Sequence, residues 1–339
     1  MTNWALLLAF FLFWQSPDQS PPLGVIDFYG LRTVTEAQVR QALGTREGDT
    51  IDINQLEKWR HETEKRIEAI PGVETAFLNL GCCTPDGKST LYVGIQEKNT
   101  TCMTFSAAPQ GSVRLTDDIV RAGADFQAAL EKAVVSGDAS EDDSKGYAWN
   151  HNAAVRAVEL RFLALAKLHL DNLKEVLRHS GDAEQRALAA QVLGYAADRQ
   201  SVAQDLIAAT HDPSPGVRNN ATRALMVFAG YAHTSAGANL HISAQPFIEM
   251  LNSCIWTDRN KSSFALAELT ETRDAALLAE IRREALASLL EMAEWKLMGH
   301  AQPSLLILGR IGGLSEEQIE KDIEANNRQA ILVAAKNAK

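Results

Sequence analysis

The side chains able to act as acids, bases, nucleophiles or metal ligands are dispersed along this chain. Its eight histidines stand at 61, 151, 169, 179, 211, 233, 241 and 300, in no HExxH arrangement and in no cluster with ligand spacing. Two have a carboxylate close by in sequence, His179 near Asp182 and His211 beside Asp212, which is the composition of an acid–base pair. A histidine at a helix end, serving a carbonyl or the helix dipole, is the commoner use of that arrangement. No GxSxG turn, Walker loop or GxGxxG segment opens a helix after a strand. The chain is therefore read as a non-enzyme, with no catalytic residue, no cofactor and no metal.

Two further groups invite chemistry. Cys82, Cys83, Cys102 and Cys254 make an even number, which permits disulfides without setting their connectivity. Adjacent Cys82 and Cys83 are poorly placed to pair with each other, since a disulfide wants Cα atoms about 5.5 Å apart. One of them reaches Cys102 if the chain folds back after Glu97; the other reading is buried or free thiols. The carboxylates of residues 136–146 suggest calcium, but the spacing lacks the closing glutamate of an EF-hand loop, and a solvated acidic linker is preferred.

Composition narrows the partners. The 339 residues carry a formal net charge of -10 and a pI near 5.4, against broad binding to a phosphate backbone and so against nucleic acid. Residues 4–14 are apolar and are followed by a polar, proline-rich stretch, so residues 1–20 are expected to be a signal peptide or a retained N-terminal anchor. Export to the periplasm or secretion follows, with the membrane involved only through such an anchor. No later run approaches the ~18 apolar residues of a spanning helix, and the body is read as soluble.

Residues 23–98 change hydrophobic period several times. A short strand ends at Gly30, and Thr33 with Glu36 has capping-box spacing before a helix presenting Val39, Ala42 and Leu43. A second helix over 54–70 carries Leu56, Trp59, Ile67 and Ile70. Strands follow at 73–80, with Ala76, Leu78 and Leu80 alternating, and at 91–97, with Leu91, Val93 and Ile95 on the core face. This order, with the phrases IDFYGLRTVTEAQVRQAL, AIPGVETAFLNL and LYVGIQE, resembles the POTRA-type domains of bacterial envelope proteins. The resemblance implies an α+β domain, β-α-α-β-β, that binds polypeptide, partly by adding a strand to the edge at 73–80. The competing reading is an ordinary small domain whose edge is covered by the rest of the chain.

Residues 99–146 are read as a connector, with a strand near 102–106, a helix over 125–135 and the acidic linker. From 147 to 339 helical periodicity dominates. Arg186, Ala189 and Leu193 recur as Arg218, Ala221 and Leu225, about 32 residues on, within the period of helical solenoids. Ala265 with Leu269, and Ser304 with Leu308, are read as weaker copies. DPSPGVRNNATRAL and SGDAEQRALAAQVLG resemble HEAT-type repeats, especially the short variety of phycobilin lyase-like proteins. The resemblance implies an all-α solenoid with Asp212 and Arg218 in an interhelical ladder, which the other copies interrupt with Ser180 and Phe264. Chromophore-lyase activity does not carry over, because the shared residues are repeat framework.

Two polar runs, Arg218, Asn219 and Asn220, then Trp256, Thr257, Asp258, Arg259, Asn260 and Lys261, open first-helix copies. Stacking is expected to align them along one edge as partner-binding anchors, with Trp295 and His300 extending the surface; the framework alternative is helix capping by Thr257 or Asp258. The whole reads as a non-catalytic protein-binding adaptor or scaffold of the bacterial cell envelope, its protein partner unidentified. The alternative is a lyase-like or enzyme-accessory protein holding a small molecule in the solenoid groove.

Overall fold

The computed structural model describes residues 20–82, 84 and 86–338. The expected leader or anchor lies outside them apart from Ser20, as does Cys83. The described chain divides into two compact units that cut across the expected boundaries: residues 104–250 with 261–272, and residues 20–103 with 251–260 and 273–338. The first is called the repeat unit and the second the sheet unit.

In the sheet unit the order is β1 (Leu23–Tyr29), α1 (Glu36–Leu43), α2 (Leu56–Glu68), β2 (Val73–Cys82) and β3 (Ser89–Glu97). The sheet order is β1-β3-β2, with β3 parallel to β1 and antiparallel to β2. The cap of α1 differs from the expected one: Thr35, not Thr33, accepts from the Gln38 amide, and Gln38 reaches back to the Thr35 amide. Arg32, Thr33 and Val34 instead turn their amides onto the buried Glu97 carboxylate at the end of β3. Burial pushes that carboxyl up, but the Thr33 hydroxyl and these amides outweigh it and hold it at about 2.

Alternation along β3 sends its side chains to two faces, as a strand requires. Leu91, Val93 and Ile95 enter a core with Val39, Leu43 and Ile67 from the helices and Ala76 and Leu78 from β2, in agreement with the expected core face. Tyr92 and Gly94 point to the other side, which α-helical segments from the C-terminal part of this same unit cover. Tyr92 stacks on Trp256 at 4.4 Å and tilts against Trp295 at 5.4 Å, while its hydroxyl is hydrogen-bonded to His300 Nδ1. Gly94 is required here, because a Cβ would stand 2.5 Å from the Cys254 carbonyl oxygen.

The repeat unit begins with an extended segment, where a strand was expected at 102–106; no regular strand forms. Next come α3 (Asp117–Val135), a hairpin of β4 (Glu141–Asp142) and β5 (Trp149–Asn150), then α4 (Ala153–Leu168), α5 (Leu170–His179), α6 (Ala183–Leu193), α7 (Arg199–Ala209), α8 (Pro215–Ala232) and α9 (Gln245–Leu251). Helix α3 starts eight residues earlier than periodicity implied, with Asp117 and Asp118 favouring its N-terminal end. Asp182 caps α6 by accepting from the amides of Glu184 and Gln185, and Pro215 occupies the first turn of α8. Helix α6 packs on α5 and α8, and α7 on α8, so each helical pair buries its apolar face on its neighbours.

Helix α10 (Trp256–Leu269) is divided between the units. The remaining helices, α11 (Ala275–Ala293), α12 (Met298–Ile311), α13 (Glu316–Glu324) and α14 (Arg328–Asn337), belong to the sheet unit, α12 packing on α11 and α14. A disulfide joins Cys102 to Cys254, Cα atoms 5.5 Å apart, within this unit. Both readings left open for Cys102, a bridge to Cys82 or Cys83 and a free thiol, are thereby corrected: beyond β3 the chain runs beside 252–254, where the Met103 amide donates to the Asn252 carbonyl, rather than back along the sheet.

Candidate functional site

The arginines of the repeat are its structural ties. Arg186 donates from Nη1 to the Ser180 carbonyl at 2.8 Å, Arg218 from Nη1 to the Asp212 carbonyl at 2.8 Å, and Arg259 from Nε to the Ser253 carbonyl at 2.5 Å. Each reaches six residues back, across the turn that precedes its helix. The Asp212 carboxylate, expected to pair with Arg218, is gripped in a bidentate manner by Arg186 at 2.7 and 2.8 Å, tying α6 to the turn before α8. Arg218 lies over the Phe105 ring at 3.9 Å.

These contacts place the third copy of the repeat three residues earlier than expected. Arg259, Ser262 and Leu266 repeat the spacing of Arg186, Ala189 and Leu193, and Ser262 and Leu266 are fully buried. Ala265 is buried too, but Leu269 is only half-buried.

The expectation that the two polar runs form an exposed edge is corrected by burial. Arg218, Trp256, Asp258, Arg259 and Asn260 are each at most 4% exposed. Asn219 is half-buried and donates to Asn220, whose own amide donates to the Ala187 carbonyl at 2.9 Å. Asp258 accepts from the Ser253 hydroxyl at 2.7 Å, and Arg259 pairs with Glu291 at 2.8 Å while lying over the Tyr29 ring. Trp295 and His300 are interior as well. The physical reason is common to all: arginine, tryptophan and asparagine at the start of a packed helix can satisfy interior carbonyls and fill interior volume. Lys261 is half-buried. Burial, then the Arg223 charge, push its ammonium down to about 8 against the opposing pull of Glu141.

Neither candidate acid–base pair forms among the described residues. His179 lies 3.9 Å from Glu175 while Asp182 accepts from Arg114, and His211 is bonded to Glu249 at 2.8 Å while Asp212 is occupied by Arg186.

The acidic segment read as a solvated linker is largely exposed as expected, but it is held at Glu141 and at Gly146, and the residues that follow are seated. Glu141 pairs with Arg223 of α8, and its side chain is only 6% exposed. Arg199 donates from Nε to the Gly146 carbonyl at 2.8 Å and lies over the rings of Tyr147 and Tyr231 at 4.2 and 4.4 Å. The Tyr195 hydroxyl donates to the Ala148 carbonyl at 3.0 Å, and its ring meets Trp149 at 5.5 Å. Arg156 of α4 donates to the Asn150 carbonyl at 3.1 Å and covers the Trp149 ring at 4.8 Å. Gly146 has φ +72°, and a Cβ there would stand 2.6 Å from the Tyr231 ring, so glycine is needed both for backbone and for room.

Beneath this hairpin lies Glu159 of α4, fully buried. Its Oε2 accepts from the Asn150 amide at 2.8 Å, and its Oε1 has no partner among the described residues. Burial, only partly offset by that amide and by Arg223, pushes its carboxyl up to about 7. A cavity of about 10 Å³ beside Ala148, Tyr195 and Arg223 has room for about one water. The sequence signal for this seat was Tyr147 and Trp149 directly after the acidic run: two aromatics seldom follow a linker that only needs solvent.

In the sheet unit, β2 is a lateral strand, and its Ala76 and Leu78 amides donate to the side chains of Glu68 and Glu64 from α2.

Residues 170–267 match the HEAT repeats family, and no curated protein matches the chain. The molecule thus has a small N-terminal three-stranded sheet followed by a helical region with HEAT repeats, an architecture whose general use is protein–protein interaction.

Proposed function

We propose that this protein is a non-catalytic adaptor or scaffold of the bacterial cell envelope that binds polypeptide, with a POTRA-like sheet joined to short HEAT repeats of the phycobilin lyase-like kind. The HEAT repeats at 170–267 are the observation that carries the reading, since stacked helix pairs present extended surfaces to partners. The Cys102–Cys254 bridge supports an oxidising, exported location. The lateral position of β2 supports strand addition, in which an incoming strand takes the Ala76 and Leu78 amides from Glu68 and Glu64.

Crosslinking capture by the tagged native protein, after cell fractionation, tests the reading. Partners are expected in the envelope or secreted fraction. Recovery of the protein in the cytoplasm alone rejects export. Unchanged partners after a Leu78→Pro replacement, made in a chain that retains its circular dichroism, reject strand addition.

A further inference from the structure

The seat of the 136–150 segment has the make-up of a recognition surface. The hairpin itself contributes three anchors, the Glu141 carboxylate and the rings of Tyr147 and Trp149. Most of its remaining ties are to its backbone: the carbonyls of Lys145, Gly146, Ala148 and Asn150 accept from Arg199, Tyr195 and Arg156, and the Asn150 amide donates to Glu159, while the Asp138 side chain accepts from Asn152. Any extended chain presents such carbonyls. The tip, residues 143–145, is exposed, and from 136 to 146 the only apolar side chain is Ala139, so this arm leaves for water at little hydrophobic cost.

Charge points the same way. The seat carries Arg156, Arg199, Arg223 and Lys261, with Glu159 buried beside Arg156 and Arg223, within a chain of net charge -10. Residues 136–150 bring four acids, Asp138, Glu141, Asp142 and Asp143, against one lysine. Only Glu141 among them meets a seat cation directly, and Lys261 has no ion pair among the described residues. A second carboxylate in the occupant has a cation waiting for it.

We propose that this seat is the polypeptide-binding surface of the repeat unit, that residues 138–150 hold it as an internal ligand, and that the partner is an extended acidic and aromatic segment able to take their place. The proposal rests on the protein-binding reading above and names its chemistry. Binding of the partner is then an exchange of one strand-like occupant for another, and the tethered segment sets the affinity a competitor must exceed.

The test uses the full chain and a fluorescent peptide of residues 138–151. A chain with Glu141→Gln, Tyr147→Ser and Trp149→Ser, its own anchors removed, is expected to bind the peptide about tenfold or more tightly than the unaltered chain, whose tethered segment competes at high effective concentration. Adding Arg199→Ala and Arg223→Ala is expected to abolish that gain. Equal affinity of the two chains, equal binding of a scrambled peptide, or binding that survives both arginine replacements overturns the proposal. If the altered segment leaves the unit unfolded by circular dichroism, hydrogen exchange on the unaltered chain decides. The amides of 141–150 are expected to exchange about tenfold or more faster than those of α6 and α8, and equal protection overturns the proposal. Crosslinked partners that persist where the peptide fails reject this seat while sparing the protein-binding reading; loss of both rejects both.

Discussion

At the scale of single residues, the decisive groups are charges held away from water. Arg186 and Asp212 were both visible in the sequence, but the spacing of six favoured Arg218 as the partner of Asp212; the bidentate pair joins residues 26 apart. Removing one member leaves the other buried and unpaired, so Asp212→Asn is expected to cost roughly 3–5 kcal/mol in denaturant unfolding. A loss within experimental error would show that Arg186 is satisfied without the carboxylate. Glu159 gives a pH signature. Its carboxyl rises from 4.5 to about 7 on folding, so the folded state holds the proton more tightly. Its contribution is therefore complete below pH 4.5 and is lost as the pH rises to about 7. The loss is about 3 kcal/mol. Glu159→Gln is expected to flatten the stability profile across that window and to raise the melting midpoint at pH 8. An unchanged profile would place the titration elsewhere.

At the scale of elements, the helices and strands were largely legible because each repeats a hydrophobic period on its own: β3 with Leu91, Val93 and Ile95, α6 and α8 with the small-to-leucine pattern. The register of α10 was not, because both Ala265/Leu269 and Ser262/Leu266 fit four-residue spacing. Only packing chooses, through Arg259 reaching the Ser253 carbonyl. Leu266→Ala is accordingly expected to cost about 2–5 kcal/mol and Leu269→Ala distinctly less, read from thermal and denaturant unfolding. The reverse ranking would restore the later register. The hairpin at 141–150 was illegible for a different reason. Its first arm is polar by composition, so that Tyr147 and Trp149 were the only signal, and its seating depends on arginines contributed by α4, α7 and α8.

At the scale of the whole molecule, the described chain groups by contact rather than by sequence order: residues 273–338 belong with the N-terminal sheet. The Cys102–Cys254 bridge closes a separation of 152 residues inside that unit. Restricting the unfolded chain by a loop of that size is worth up to about 5 kcal/mol on the chain-entropy model. Cys102→Ser with Cys254→Ser is therefore expected to lower the melting midpoint by several degrees and to abolish its response to dithiothreitol. A midpoint that still falls on reduction in that variant would reveal a further bridge. From residue types and periods alone came the α+β start, the repetitive helical body and the prominence of Arg186 and Arg218, since these depend on contacts close in the chain. Which carboxylate each arginine meets, which cysteine Cys102 joins, and that the polar runs at 218–220 and 256–261 turn largely inward were settled by tertiary packing. Those outcomes depend on which distant backbone carbonyls and ring faces are brought within hydrogen-bonding and stacking distance, and no local spacing encodes that.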